Sequence, residues 1–192
     1  MIKYGILVKS LVNLLRAQLL AGHNVQMDEA RWQVSKELGK AAQSLSSTWI
    51  QRGGPSIAFD YSQSRSQDVP IDLLGDYTGC LQTDGYEGYN KVCGDNGITQ
   101  LGCWAHVRFK FDEALKSQTN HMKRKTSLAN QALRCNQLLY KIEKEIMHLT
   151  PTARQTLRQE KAAPIINGRR EWLDQACPWW SSNRLLVKPC II

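Results

Sequence analysis

The chain has 192 residues, enough for one domain with a respectable apolar core and an appended helical segment. Its formal net charge of +8 favours polyanionic partners over cationic ones. No apolar run is long enough to span a bilayer, and Lys9, Asn13 and Arg16 interrupt the region after Ile6-Leu7-Val8 with no cleavage site behind it. This excludes a membrane span and a signal peptide as readings and makes the cytoplasm the expected location. The six cysteines are widely scattered and accompany no secretory signal, so reduced thiols are expected rather than a disulfide framework.

Leu7, Leu11, Leu14, Leu15 and Leu19 recur at helical spacing and predict an amphipathic helix from about Ile6 to Leu20, stopped near Gly22. A first strand then runs to Asp28. Ser47 to Arg52 and Ile57 to Tyr61 are β-rich, and Gly53-Gly54-Pro55 between them reads as a hairpin connection, giving a three-strand meander. A short helix over Val69–Leu74, a fourth strand ending at Asp84, a helix from Tyr86 to Cys93 and a fifth strand over Ile98–Cys103 follow. This order specifies an α/β sheet. Beyond Cys103 the pattern is helical: Trp104 to Lys116, a polar and basic break from Ser117 to Lys125, and a long amphipathic helix marked by Leu128, Leu133, Leu138, Leu139, Ile142 and Ile146. Thr150-Pro151 is a helix start, with the hydroxyl as N-cap, and a last helix covers about Ile165 to Asp174.

Val25-Gln26-Met27-Asp28 and Leu81-Gln82-Thr83-Asp84-Gly85 share one local pattern, in which a glutamine and an aspartate fall on the same face of a strand. Both carboxylates are expected at strand ends. On neighbouring strands they converge, and paired hard oxygen ligands suit Mg²⁺ or Mn²⁺ better than zinc, as in a two-metal phosphoryl-transfer site. The plain alternative is a pair of strand-end aspartates satisfied by turn amides.

The surrounding motifs are Met27-Asp28-Glu29-Ala30-Arg31-Trp32-Gln33-Val34, Trp49-Ile50-Gln51-Arg52-Gly53-Gly54-Pro55, Phe59-Asp60-Tyr61 with Ser64-Arg65-Ser66, Leu81 to Asn90, and Gly102-Cys103-Trp104-Ala105-His106. In this order they resemble the central domain of bacterial insertion-sequence transposases of the IS66 family, from about Leu11 to Asp174. The resemblance implies a ribonuclease-H-like fold with an Asp-Asp-Glu catalytic triad, and it puts the first two members at Asp28 and Asp84, as catalytic residues and ligands of Mg²⁺ or Mn²⁺. Ala30 stands where the family usually has threonine, and Phe109 where a second arginine would follow Arg108. Neither departure touches a metal ligand.

The expected organisation is a ribonuclease-H-like mixed sheet, incomplete, over residues 1–103, an all-helical insertion segment over 104–174, and an irregular tail unlike the family over 175–192. The third acid is not found: Glu29, Glu87, Glu113 and Glu171 sit at other motif positions. The expected function is therefore that of a transposase piece, truncated at both ends, which would act in DNA transposition by metal-dependent cleavage and strand transfer but is inactive alone. The alternative is a non-catalytic, basic DNA-binding or regulatory remnant that competes with the full-length enzyme. The implied partners are DNA, at transposon ends through phosphate contacts, and other transposase subunits.

Three further groups carry chemistry. Cys103 and His106 form C-x-x-H, half of a zinc site; without a second ligand pair at finger spacing, a buried thiol and a hydrogen-bonded histidine is the stronger reading, and the resemblance, in which this motif recurs just after the fifth strand, implies a structural or DNA-positioning role. Arg108, Lys110, Lys116, His121, Lys123, Arg124 and Lys125 are candidates for phosphate contact, against a solvated helix face and loop. Tyr86, Tyr89 and Trp104 have the option of stacking on an unpaired base, but core packing is favoured.

Overall fold

The computed structural model of the chain describes residues 2–35, 37–41, 43–118 and 127–176. Two compact units divide the chain between Leu101 and Gly102. The first opens with helix α1, Ile2–Leu20, and continues with strands β1, Asn24–Gln33, β2, Leu45–Gly53, and β3, Ser56–Ser62. Helix α2, Asp68–Leu74, strand β4, Cys80–Thr83, a 3₁₀ turn over Glu87–Tyr89, helix α3, Asn90–Asp95, and strand β5, Thr99–Gly102, complete the sequence of elements.

One sheet holds all five strands in the order β3-β2-β1-β4-β5. β1, β2 and β3 form an antiparallel meander, and β4 joins the other side of β1 in parallel. This is the mixed α/β arrangement expected from the sequence. The turn between β2 and β3 is Gly54-Pro55, closed by the pair Gly53↔Ser56, and Gly54 supplies the positive φ of +54°.

Alternation along β1 sorts its side chains cleanly. Val25 and Met27 are buried, while Asn24, Gln26 and Asp28 are exposed. Leu19, Trp49, Leu74, Leu81, Tyr89, Val92 and Ile98 join Val25 and Met27 in a single core on that one face. At about 25 cal/mol per Å² of apolar surface, this face supplies most of the unit's stabilisation. The opposite face of the meander stays open. Ile57, Phe59 and Tyr61 of β3 and Trp32 of β1 are exposed there, Phe59 at 67%.

Asp28 lies in the middle of β1, not at its end as the sequence suggested. Antiparallel pairing with β2 carries the strand on to Gln33↔Leu45, whereas the parallel pairing with β4 stops at Gln26↔Gln82. The leucine stripe of α1 also differs from expectation. Leu19 is fully buried, but Leu11, Leu14 and Leu15 are exposed, because α1 meets the sheet through its last turns. There Arg16 pairs with Asp60 of β3, and Gly53 of β2 lies against the Leu19 carbonyl so closely that no Cβ fits.

The second unit contains helices α4, Trp104–Lys116, α5, Leu128–Ile146, α6, Pro151–Leu157, and α7, Ala163–Ala176. Ser127 and Thr150 cap α5 and α6 through their hydroxyl oxygens. A π-helical turn, Arg158–Ala162, links α6 to α7, so the last helix begins earlier than Ile165. Pro164 has no N–H to give the previous turn, and the wider π turn carries the chain past it. Ile142, Ile146 and Ala162 form the core here, and Arg158 donates to both oxygens of Glu143 at 2.8 and 2.7 Å.

Cys80, Cys93, Cys103 and Cys135 are free thiols. Burial pushes the Cys93 thiol up to about 11, so it holds little of the reactive thiolate near neutral pH. With iodoacetamide at pH 8, partly exposed Cys80 should be alkylated well before Cys93. Peptide mass spectrometry reads the order, and equal rates would mean that α3 opens readily in the folded chain.

Candidate active site

Strand register pairs the residues two positions before Asp28 and Asp84. Gln26 and Gln82 are paired residues of the parallel strands β1 and β4, and the Gln26 Nε2–H donates to Gln82 Oε1 at 2.6 Å. Two residues further along stand Asp28, on the same face of β1 as Gln26, and Asp84, just past the end of β4. Both are exposed. Asp84 falls just beyond the end of β4, where its Oδ1 accepts the Tyr86 N–H at 2.9 Å across a turn with Gly85 at φ +90°. Asp28 Oδ1 accepts the Glu29 N–H at 2.9 Å.

Beneath this pair, on the buried face, lies a network that the sequence reading did not assign. The Glu29 side chain is 1% exposed. It takes the Arg65 Nε–H at 2.8 Å together with a second guanidinium N–H, and its other oxygen takes the Tyr89 hydroxyl at 2.8 Å. Arg65 stacks 3.7 Å from the centre of the Tyr86 ring, whose hydroxyl donates to the Arg65 carbonyl at 2.6 Å. Tyr89 meets Trp49 and Tyr86 edge-on, each at 5.9 Å. Gly88 has no Cβ because the Tyr86 ring occupies that space.

Burial pushes the Glu29 carboxyl above its ordinary value, while Arg65 and Tyr89 pull the other way. Tyr89 is pushed far up, first by burial and then by the negative charges of Glu29, Asp84 and Asp28. The signal for this network was present in the sequence. Glu29 is in phase with Val25 and Met27, so a buried carboxylate needed a cation, and Arg65 was already part of a quoted motif.

Among the described residues, no group of three or more His, Cys, Asp and Glu side chains gathers as a metal site. The two oxygen ligands do fit Mg²⁺ or Mn²⁺, since Mg²⁺ keeps several waters and needs only one or two carboxylates from protein.

The other candidate residues lie elsewhere. Asp60 is on the opposite face of the sheet, where Arg16 pairs with it and Gln51 Nε2 donates to it at 3.3 Å. Arg108 and Lys110 are exposed on α4, and Lys116 pairs with Asp112 at 2.7 Å. Cys103 occupies the N-cap of α4 without a side-chain cap bond, and His106 is in the first turn of that helix. Trp104 lies 4.9 Å from the guanidinium of buried Arg169, which also faces Phe111 and donates to Asn136. His121, Lys123, Arg124 and Lys125, and the tail from residue 177, lie outside the described residues.

A mixed five-strand sheet with helices defines an α/β protein, and exposed Asp28 and Asp84 follow its paired residues Gln26 and Gln82. The chain matches the Transposase IS66 family over residues 1–188, and it belongs to that family. The match reaches past the motifs quoted above at both ends, into the stretch expected to be unlike the family. Two proteins of Sinorhizobium fredii (strain NBRC 101917 / NGR234) are similar. Uncharacterized protein y4hP is 30% identical over 145 residues, 70% of this chain and 26% of that protein. Uncharacterized protein y4qI is 30% identical over 119 residues, 58% of this chain and 21% of that protein. The chain therefore spans about a quarter of the length of these curated relatives. A chain in the structure of a simian T-cell lymphotropic virus intasome in complex with PP2A regulatory subunit B56 gamma aligns with 71% of this chain and 46% of its own. Its identity is 14% and its TM-score 0.32, too low to define a shared fold. Among the described residues, no helix is long and apolar enough to cross a membrane.

Proposed function

We propose that this chain serves DNA transposition as part of a metal-dependent enzyme that cuts and joins DNA, with Asp28 and Asp84 as its metal ligands and catalytic residues. The observation that supports this reading is the pairing of Gln26 with Gln82 on β1 and β4, two residues before Asp28 and Asp84. Membership of the transposase family supports it. A divalent cation bound there supplies an activated water or 3′-hydroxyl and offsets charge on the phosphate. The chain's own part is to hold the two carboxylates at a fixed spacing. Glu29, next to Asp28, is tied through Tyr89 to the segment that follows Asp84 and through Arg65 to the segment that follows β3. Neither carboxylate-bearing stretch then moves without breaking a buried contact.

The described residues gather two carboxylates at this point, whereas the resemblance implies three. We infer that the 192-residue chain alone neither cleaves nor joins DNA, and that a further acid completes the site in an active assembly.

DNA binding by the chain should be independent of sequence and steeply reduced by salt, because phosphate contacts need no base reading. Replacing Lys123, Arg124 and Lys125 by alanine should lower the slope of log affinity against log salt by up to about 3. Fluorescence anisotropy with a labelled duplex measures this. An unchanged slope would return these residues to a solvated loop, and tight binding to one sequence would mean a base-reading module is present.

A further inference from the structure

Across the open face, the residues fall into rows set by strand pairing. One row contains Asp28, opposite Ile50 of β2, which in turn pairs with Phe59 of β3. The neighbouring row contains Gln82, Gln26 and Arg52, joined through the pairs Gln26↔Gln82 and Gln26↔Arg52. The two rows are two residues apart along the strands, about 6.6–6.8 Å. That is close to one nucleotide step along an extended DNA strand.

The second row has no counterpart for its charge. Arg52 is exposed and takes part in none of the ion pairs among the described residues. It is also in phase with Asp28, whereas Arg31, the other lysine or arginine on the five strands, is in phase with Glu29. The amide–amide bond between Gln26 and Gln82 fixes both side chains and leaves the Gln82 N–H donors available beside Arg52's row.

We propose that Arg52, with Gln26 and Gln82, binds the DNA phosphate adjacent to the one held at Asp28 and Asp84, an inference that rests on the function proposed above. The electrostatic reason is direct. A metal compensates the phosphate at the aspartates, but the next phosphate meets two carboxylates nearby and needs its own cation. Arg52 supplies a planar fork of N–H donors suited to phosphate oxygens, and the glutamine amides add neutral donors that do not compete for the metal.

The test compares the whole chain with Arg52→Gln, Arg52→Lys and Gln82→Glu in binding a labelled duplex across a salt series with Mg²⁺. Arg52→Gln is expected to make the slope shallower by about 0.9, so that the affinity lost between 50 and 200 mM salt is about 3.5-fold smaller than for the parent. Arg52→Lys, which keeps the charge, should restore the slope. Gln82→Glu should weaken binding by placing a negative charge in the same row. Asp28→Asn should leave the Arg52 effect on slope in place, since it changes only the metal's phosphate. If the parent chain binds no DNA, the proposed function and this inference both fall. If the parent binds with a steep salt dependence but Arg52→Gln keeps the parent slope and Gln82→Glu keeps the parent affinity, the inference alone is overturned.

Discussion

Removing the carboxylate of Glu29 should be among the most damaging single changes to the first unit. Glu29→Ala strands the Arg65 guanidinium and the buried Tyr89 hydroxyl together. Breaking a buried ion pair from one side costs about 3–5 kcal/mol. Arg65 keeps 34% of its side chain exposed, so solvent takes up part of that charge and the lower end applies. Arg65→Met should cost more, because it leaves a 1% exposed carboxylate without its cation. The informative variant is the double one. Glu29→Met with Arg65→Met removes both charges at once, and apolar replacement of a buried pair is often neutral or stabilising. The double variant should therefore be more stable than either single variant. Hydrogen exchange of β1 and β2 amides reads the free energy of this unit directly. Additive losses in the double variant would show that the two side chains act independently, contrary to the contacts seen.

The largest effect on metal binding should come from the aspartates themselves. The chain should bind Mn²⁺ weakly, because affinity at oxygen-ligand sites rises with the number of charged donors and two are proposed here. Asp28→Asn or Asp84→Asn should each weaken this by at least about tenfold, since each removes a charged ligand. Asp60→Asn should leave it unchanged, because Asp60 is on the other face and committed to Arg16. Electron paramagnetic resonance of bound Mn²⁺ measures all three, and equal losses for Asp60 and Asp28 would overturn the site. With labelled duplex ends and Mg²⁺ or Mn²⁺, no cleavage or strand transfer is expected from the chain alone. Positioning and charge compensation supply most of the catalysis in phosphoryl transfer, so an incompletely held metal costs orders of magnitude in rate. Cleavage that disappears on Asp28→Ala and Asp84→Ala would mean that another acid of the chain completes the site. Glu87, in the 3₁₀ turn shortly after Asp84, is the first to replace.

The faces of β1 and the pairing of Gln26 with Gln82 were legible because strand alternation is a local property, and the repeated Gln-x-Asp spacing marked it twice. The end of β1 was not legible, since nothing in Glu29 to Gln33 alone shows that β2 pairs with it as far as Leu45. Periodicity likewise marked a leucine stripe on α1 but not which part of it would meet the sheet; that depends on Arg16, Leu19 and their partners more than thirty residues away. The last helix, expected from about Ile165, starts at Ala163 after a π turn, which has no composition of its own to announce it. The Glu29 network was missed for a related reason. A polar side chain on a buried face is recognisable by phase, but its partners Arg65 and Tyr89 come from segments placed only by the folded sheet.

Asp28 and Glu29 are adjacent acids that look alike in composition and differ only in the side of the ribbon they occupy. A strand repeats every two residues, so shifting β1 by one position against its neighbours exchanges them. Gain of a single codon between Asn24 and Met27, if the flanking pairs re-form, would turn Glu29 outward to the open face and bury Asp28 against Arg65 with a side chain one methylene too short. The frame of this strand, as much as the identity of any residue on it, decides which acid faces the solvent.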